Sequence, residues 1–173
     1  MRGTINLRST ILLVVLIGLG LAGNYFSVSL FFGADFLFGS FFVLLVLYFY
    51  GLGWGLLAAV VAHSYTFILW GHSFGFINLV GEALFVGIFP HRGRRNLLAI
   101  AGAFWLLLGM PLVWLAYGAI MHMDPTSTAF IMLKQGINGI FNAMLAGLAV
   151  CVLPFRRLFL PPKFSPDITL QES

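Results

Sequence analysis

The sequence predicts an all-α fold: an integral membrane six-helix bundle with both termini cytoplasmic. Three observations predict it. Of the 173 residues, 61% are hydrophobic and only 8% charged, where an ordinary soluble domain carries about 25% charged residues. Successive apolar runs are separated by short Gly, Pro and polar turns, and several approach the roughly 20 residues that a bilayer span needs. The basic residues gather in short flanks between those runs, as orientation signals do. The net charge of +4 is therefore no nucleic-acid footprint. The single cysteine, Cys151, excludes an internal disulfide and a cysteine metal site.

Arg2 and Arg8 precede the first apolar run. Leu21-Ala22-Gly23 would make a poor signal-peptide cleavage site. Apolar sequence past Asn24 through Phe32 favours an uncleaved first helix over about 10–30. Gly33 and Asp35 break the run, which predicts a short turn. The second helix is expected over 36–50 and the third over 54–70, joined by the turn Gly51-Leu-Gly-Trp-Gly55. A turn at 71–75 leads to the fourth helix, 76–89, and a basic loop follows at 90–96. The fifth helix, 97–120, should bend at Pro111. The sixth, over 128–153, has Ser127 or Thr128 as its cap.

The membrane domain thus covers 1–154, and 155–173 reads as a cytoplasmic linker, stiffened by Pro161-Pro162. Ser165-Pro166-Asp167 resembles the first turn of a further helix, which predicts a longer natural protein; a frayed tail is the alternative. Six spans put Arg2, Arg8, Arg92, Arg94, Arg95, Arg156, Arg157 and Lys163 on the cytoplasmic side. The loops around Asp35, His72 and Asp124 then face outward.

The sixth helix carries the chemistry. At about 100° per residue, Lys134, Gln135, Asn138 and Asn142 share a sector, with Leu133, Ile137, Phe141 and Leu148 opposite. A lysine within a bilayer costs about 2.5–3.5 kcal/mol on insertion scales, so it should face the bundle interior and a partner. Glu82 is the acid at matched depth; with His63 and Lys134 it lies about 9–11 Å below the outer boundary. The expectation is that Glu82 and Lys134 form a salt bridge or share a ligand. A structural ion pair that locks two helices is the competing reading. His63, Tyr65, Thr66, Asn78, Glu82, Lys134, Asn138 and Asn142 form the candidate ligand-binding set. Interhelical hydrogen bonds are commonly worth only about 0.6 kcal/mol, and this many polar groups exceed what fastening requires. An outward-open, water-filled pocket with Asp35 at its mouth is the economical alternative.

Asn24 and Asn78 can simply bond neighbouring helices. Trp54, Trp70 and Tyr117 near span ends fit interfacial belts. His91 reads as a surface residue among arginines. His72 and His122 fall in outer loops, but no metal centre is assigned and no cofactor is called for. There is no Ser-His-Asp order, His-Glu-x-x-His, phosphate loop or paired carboxylate, so this segment shows no enzyme signature.

The run Asn24 to Ser40, the turn Gly51 to Gly55, Ser64 to His72, Glu82 to Gly87 and Lys134 to Asn142 together resemble the N-terminal multi-pass membrane sensor region of bacterial signalling proteins. The likeness covers 10–173. It implies a ligand-recognition domain in the bacterial inner membrane that passes a helix shift to a cytoplasmic output module in cis. In that family the output is a PAS, histidine-kinase (two-component) or diguanylate-cyclase (GGDEF) module. The partners implied are the lipid bilayer, a small-molecule ligand and that module; a homodimer stays open. A more distant likeness is to the substrate-binding subunits of energy-coupling-factor vitamin transporters, which implies a solute-uptake role instead. A structural anchor that targets and dimerises an enzyme is the third reading; it predicts an ion pair without a cavity.

Overall fold

The computed structural model describes residues 7–29, 35–89 and 97–152. The expected basic loop, the linker 155–173 and the arginines at both ends of the topology argument, except Arg8, lie outside the described residues. Within them the chain is all-helical apart from one short ladder. The helices are α1 (Leu7–Tyr25), α2 (Gly39–Tyr50), α3 (Leu52–Trp70), α4 (Phe74–Ile88), α5 (Leu97–Ile120) and α6 (Pro125–Val152). Three of them, α1, α3 and α5, are long and apolar enough to cross a membrane.

The first helix is shorter than expected. It ends at Tyr25, and the chain turns into β1 (Val28–Ser29), which pairs antiparallel with β2 (Asp35–Phe36). Apolar continuity misled the expectation of a helix to 30. Ser27, Val28 and Ser29 favour extended backbone, because serine side chains compete for helix hydrogen bonds and β-branching stiffens χ1. Asn24 also turns its side chain away from the helix. It accepts from the Gly39 amide at 2.8 Å and donates to the Ala62 carbonyl at 2.7 Å, so one side chain ties α1 to α2 and α3.

Helix α2 starts at Gly39 rather than at 36, because Asp35 and Phe36 pair in the ladder and Leu37 and Phe38 stay outside the helix. It is the centre of the molecule: Val43 to Leu47 are all buried, and α2 packs on α1, α3, α4 and α6. Ala58, Ala59 and Ala62 on α3 let that helix come close. Gly51 joins α2 to α3 within one residue at φ 84°, a conformation that glycine adopts without steric cost. Helices α3 and α4 each begin two residues before the expected position. Gly71, left-handed at φ 70°, ends α3 by donating its amide to the Phe67 carbonyl at 2.9 Å.

The disturbance expected at Pro111 takes the form of two widened turns in α5, at Trp105–Gly109 and Leu115–Ile120, on either side of the proline. Their bonds run five residues back, as from the Met121 amide to the Ala116 carbonyl at 2.9 Å. Proline lacks an N–H and crowds the preceding turn, and widened turns absorb both effects. Helix α6 begins at Pro125, three residues early, and its cap is Asp124 rather than Ser127 or Thr128. The Asp124 carboxylate accepts from the Ser127 amide at 2.9 Å. Hydrogen bonds from the Ser127 side chain and amide hold the Asp124 carboxyl below its ordinary value. Thr128 is instead buried inside the helix.

Candidate functional site

Helix α6 and the extended segment before α2 are fastened by asparagines. The Asn138 side chain accepts from the Leu37 amide at 2.8 Å and donates to the Leu37 carbonyl at 3.1 Å. Asn142 donates to the same carbonyl at 2.8 Å. Extended backbone inside a helical bundle has no helix to satisfy it, and these amides supply the missing partners. This also fixes where Asp35 goes. Two strand residues back from Leu37 is about 6.6 Å, and one helical turn back from Asn138 is about 6 Å. Asp35 is thereby carried to the level of Lys134.

Asp35 and Lys134 line one cavity of about 790 Å³. It lies between the ladder, the end of α3, the end of α5 and the first turns of α6. Its aromatic walls are Trp70, His72, Tyr117 and Phe130, with Leu69, Met121, Met123 and Ile131 between them. The Lys134 ammonium sits 5.2 Å from the centre of the Trp70 ring, within cation–π range. The Asp35 carboxylate is the opposite charge that acts on it. A methyl group at Gly75 would overlap the Trp70 ring, so the glycine at the start of α4 makes room for this wall. His72 contacts the Tyr117 hydroxyl through Nε2 at 3.1 Å and stacks beside Trp70. Burial holds the His72 imidazole below its ordinary value, so it is neutral near pH 7.

The expected pair between Glu82 and Lys134 is not formed. Glu82, 1% exposed, accepts from the Trp105 indole at 2.8 Å and from the Ser40 hydroxyl at 3.1 Å. A methyl at Gly139 would overlap the Trp105 indole. A chain of contacts therefore joins α2, α4, α5 and α6 around one carboxyl group. Helices α4 and α6 present their charges to different neighbours, and the helical wheel of either one alone cannot reveal that.

The other candidates fall in three places. His63 is buried; its Nδ1 lies 3.1 Å from Asn24 Nδ2, and its carbonyl accepts from Thr66 at 2.7 Å. Tyr65 packs edge-on against Tyr25. His63 and Tyr65 thus meet α1, Thr66 bonds within its own helix, and none of the three lines the cavity. Asn78 donates to the Gly109 carbonyl at 3.2 Å, at the first widened turn of α5, and borders a separate hollow of about 120 Å³ with Tyr117 and Gln135. Asn138 borders a narrow gap of about 10 Å³ beside Lys134, and Asn142 is fully buried. The structure thus brings Lys134 and Asp35 to the wall of the large cavity and Asn138 to the narrow gap beside Lys134.

Three wall residues are not among the sequence-predicted site residues: Trp70 and Tyr117 read as interfacial belts, and His72 as an outer-loop residue. The spacing Trp70-Gly-His72, closed by a left-handed glycine, was the available signal that two rings return to one side. The Glu82 partner Trp105 also left a signal. It sits mid-run rather than at a span end, where its N–H would find water. Among the described residues no group of three or more His, Cys, Asp or Glu could hold a metal ion.

What the fold and site define is an all-helical bundle of six described helices with an aromatic cavity at one end, walled by one acid and one base. No protein-family model matches the chain, and neither a curated protein nor a solved structure is significantly similar to it.

Proposed function

We propose that this chain is a membrane-embedded sensory domain of a bacterial signal-transduction protein. Its six helices cross the inner membrane with both termini cytoplasmic, and it binds a small molecule rather than transforming one. The observation that carries this reading is the cavity of about 790 Å³. That size falls within the roughly 300–1,000 Å³ of small-molecule sites, which combine apolar walls with a few polar groups. The loops around it carry no Lys or Arg, which supports an outward-facing mouth. Helix α6 supports the signalling part: one end walls the cavity and the other leads into the basic linker. A ligand that prefers one seating of the β2 segment on α6 would shift that helix, and only by as much as its preference allows. An output module in cis would read the shift. A solute-uptake subunit would use the same cavity but require transport through a coupling partner.

The test is retention of small molecules by protein purified in detergent, released by denaturation and weighed by mass spectrometry. Lys134→Ala is expected to retain at least about tenfold less of the wild-type ligand, in line with losing a charge-assisted contact of about 1.5–3 kcal/mol. Equal retention would remove Lys134 from the site.

A further inference from the structure

The cavity's charges narrow what it can hold. We infer that its ligand is a small zwitterion, an α-amino acid with an aromatic or large apolar side chain, its ammonium on Asp35 and its carboxylate on Lys134. The inference rests on the binding reading above.

Asp35 and Lys134 are opposite charges on the wall of one cavity. The Leu37–Asn138 bonds set them level, on adjacent elements. A ligand bearing one charge would meet one of them as an opposite charge and the other as a like charge. A neutral ligand would use neither. A molecule carrying an anion and a cation close together engages both and adds no net charge to the cavity. Charge-assisted hydrogen bonds at both ends are the strong kind. An α-amino acid carries both charges on one carbon, and its side chain then projects from that carbon into the remaining volume.

That volume is built for rings and thioether-compatible surfaces. Trp70, Tyr117 and Phe130 offer faces or edges for offset stacking. Met121 and Met123 close the space with adaptable, polarizable groups. The same charge pattern occurs in the ethanolamine phosphate headgroup of a phospholipid, so the experiment must separate the two sources.

Binding is measured on the whole chain in phosphatidylglycerol nanodiscs, by thermal stabilisation and by competition with radiolabelled L-tryptophan. The competitors are indole-3-propionate, which keeps only the carboxylate; tryptamine, which keeps only the ammonium; and glycerophosphoethanolamine. L-Tryptophan is expected to bind at least about tenfold more tightly than either single-charge analogue, the scale of one charge-assisted contact. Asp35→Asn should erase the preference over indole-3-propionate, and Lys134→Gln the preference over tryptamine. These reciprocal losses are read as ratios, so a general loss of fold cannot imitate them. Equal binding of all three indoles, or unchanged ratios in both variants, would overturn the inference. Binding of glycerophosphoethanolamine in place of the amino acid would overturn it in favour of a lipid headgroup. If L-tryptophan, L-phenylalanine and L-leucine all fail while the purified protein retains some other molecule, the ligand class falls and the binding reading stands. If nothing is retained, both fall.

Discussion

Asn138 shows how a polar residue in an apolar helix can serve backbone rather than ligand. Its amide makes both hydrogen bonds that Leu37 would make in a ladder. Two magnitudes compete in predicting its worth. Interhelical side-chain bonds in membranes average about 0.6 kcal/mol, whereas a buried group left without a partner costs about 1–3 kcal/mol. The second governs here, because nothing else described bonds the Leu37 amide. Asn138→Ala should destabilise the protein by about 1–3 kcal/mol, measured by unfolding in detergent. Asn142→Ala should cost less, since the Leu37 carbonyl keeps Asn138. A smaller loss for Asn138→Ala than for Asn142→Ala would contradict this account. The polar sector of α6 was legible in the sequence; its purpose was not. Periodicity shows which side chains share a face, but the extended stretch they serve lies 101 residues away. The charges follow the same rule. Lys134 was recognisable as a residue needing company, and Asp35 was placed at the pocket mouth. Glu82 looked like the partner because it had similar depth, and depth says nothing about azimuth.

At the scale of elements, α5 and α6 fit through an exchange of bulk. Gly139 leaves the space that the Trp105 indole fills on its way to Glu82. Gly136 does the same for Met110. Both large residues flank or belong to the first widened turn of α5. Gly139→Ala should therefore push the indole off the carboxylate. The expected outcome is a shift in Trp105 fluorescence relative to a Trp105→Phe control, with a stability loss of about 1–3 kcal/mol from overpacking. An unchanged spectrum and unfolding curve would show that the indole has another seat. The six helices were legible as apolar runs, and α5 was bounded as expected at 97–120. Errors gathered where glycine and serine set the backbone: the end of α1, the start of α2 and the Asp124 cap. Hydropathy is silent there, because Val28 and Phe36 are as apolar in a strand as in a helix.

For the whole molecule, the decisive arrangement is the sidedness of charge. Every Lys and Arg except Lys134 falls in a basic flank that the proposed six-span topology puts on one side. Reporter insertions after Gly93 and after Asp124 should accordingly report opposite sides of the membrane, with the first inside. The same side for both would remove the six-span reading and leave the cavity without an outward mouth. The long reach of the Leu37 attachment has a consequence for biogenesis. Leu37 emerges from the ribosome about a hundred residues before Asn138 (at ~5–20 residues per second, a wait of roughly 5–20 s). During that interval the Leu37 peptide groups lack the α6 side chains that bond them in the folded protein. A stalled or clipped chain lacking α6 would remain visible to membrane proteases, and arrival of that helix would mark the membrane domain as assembled.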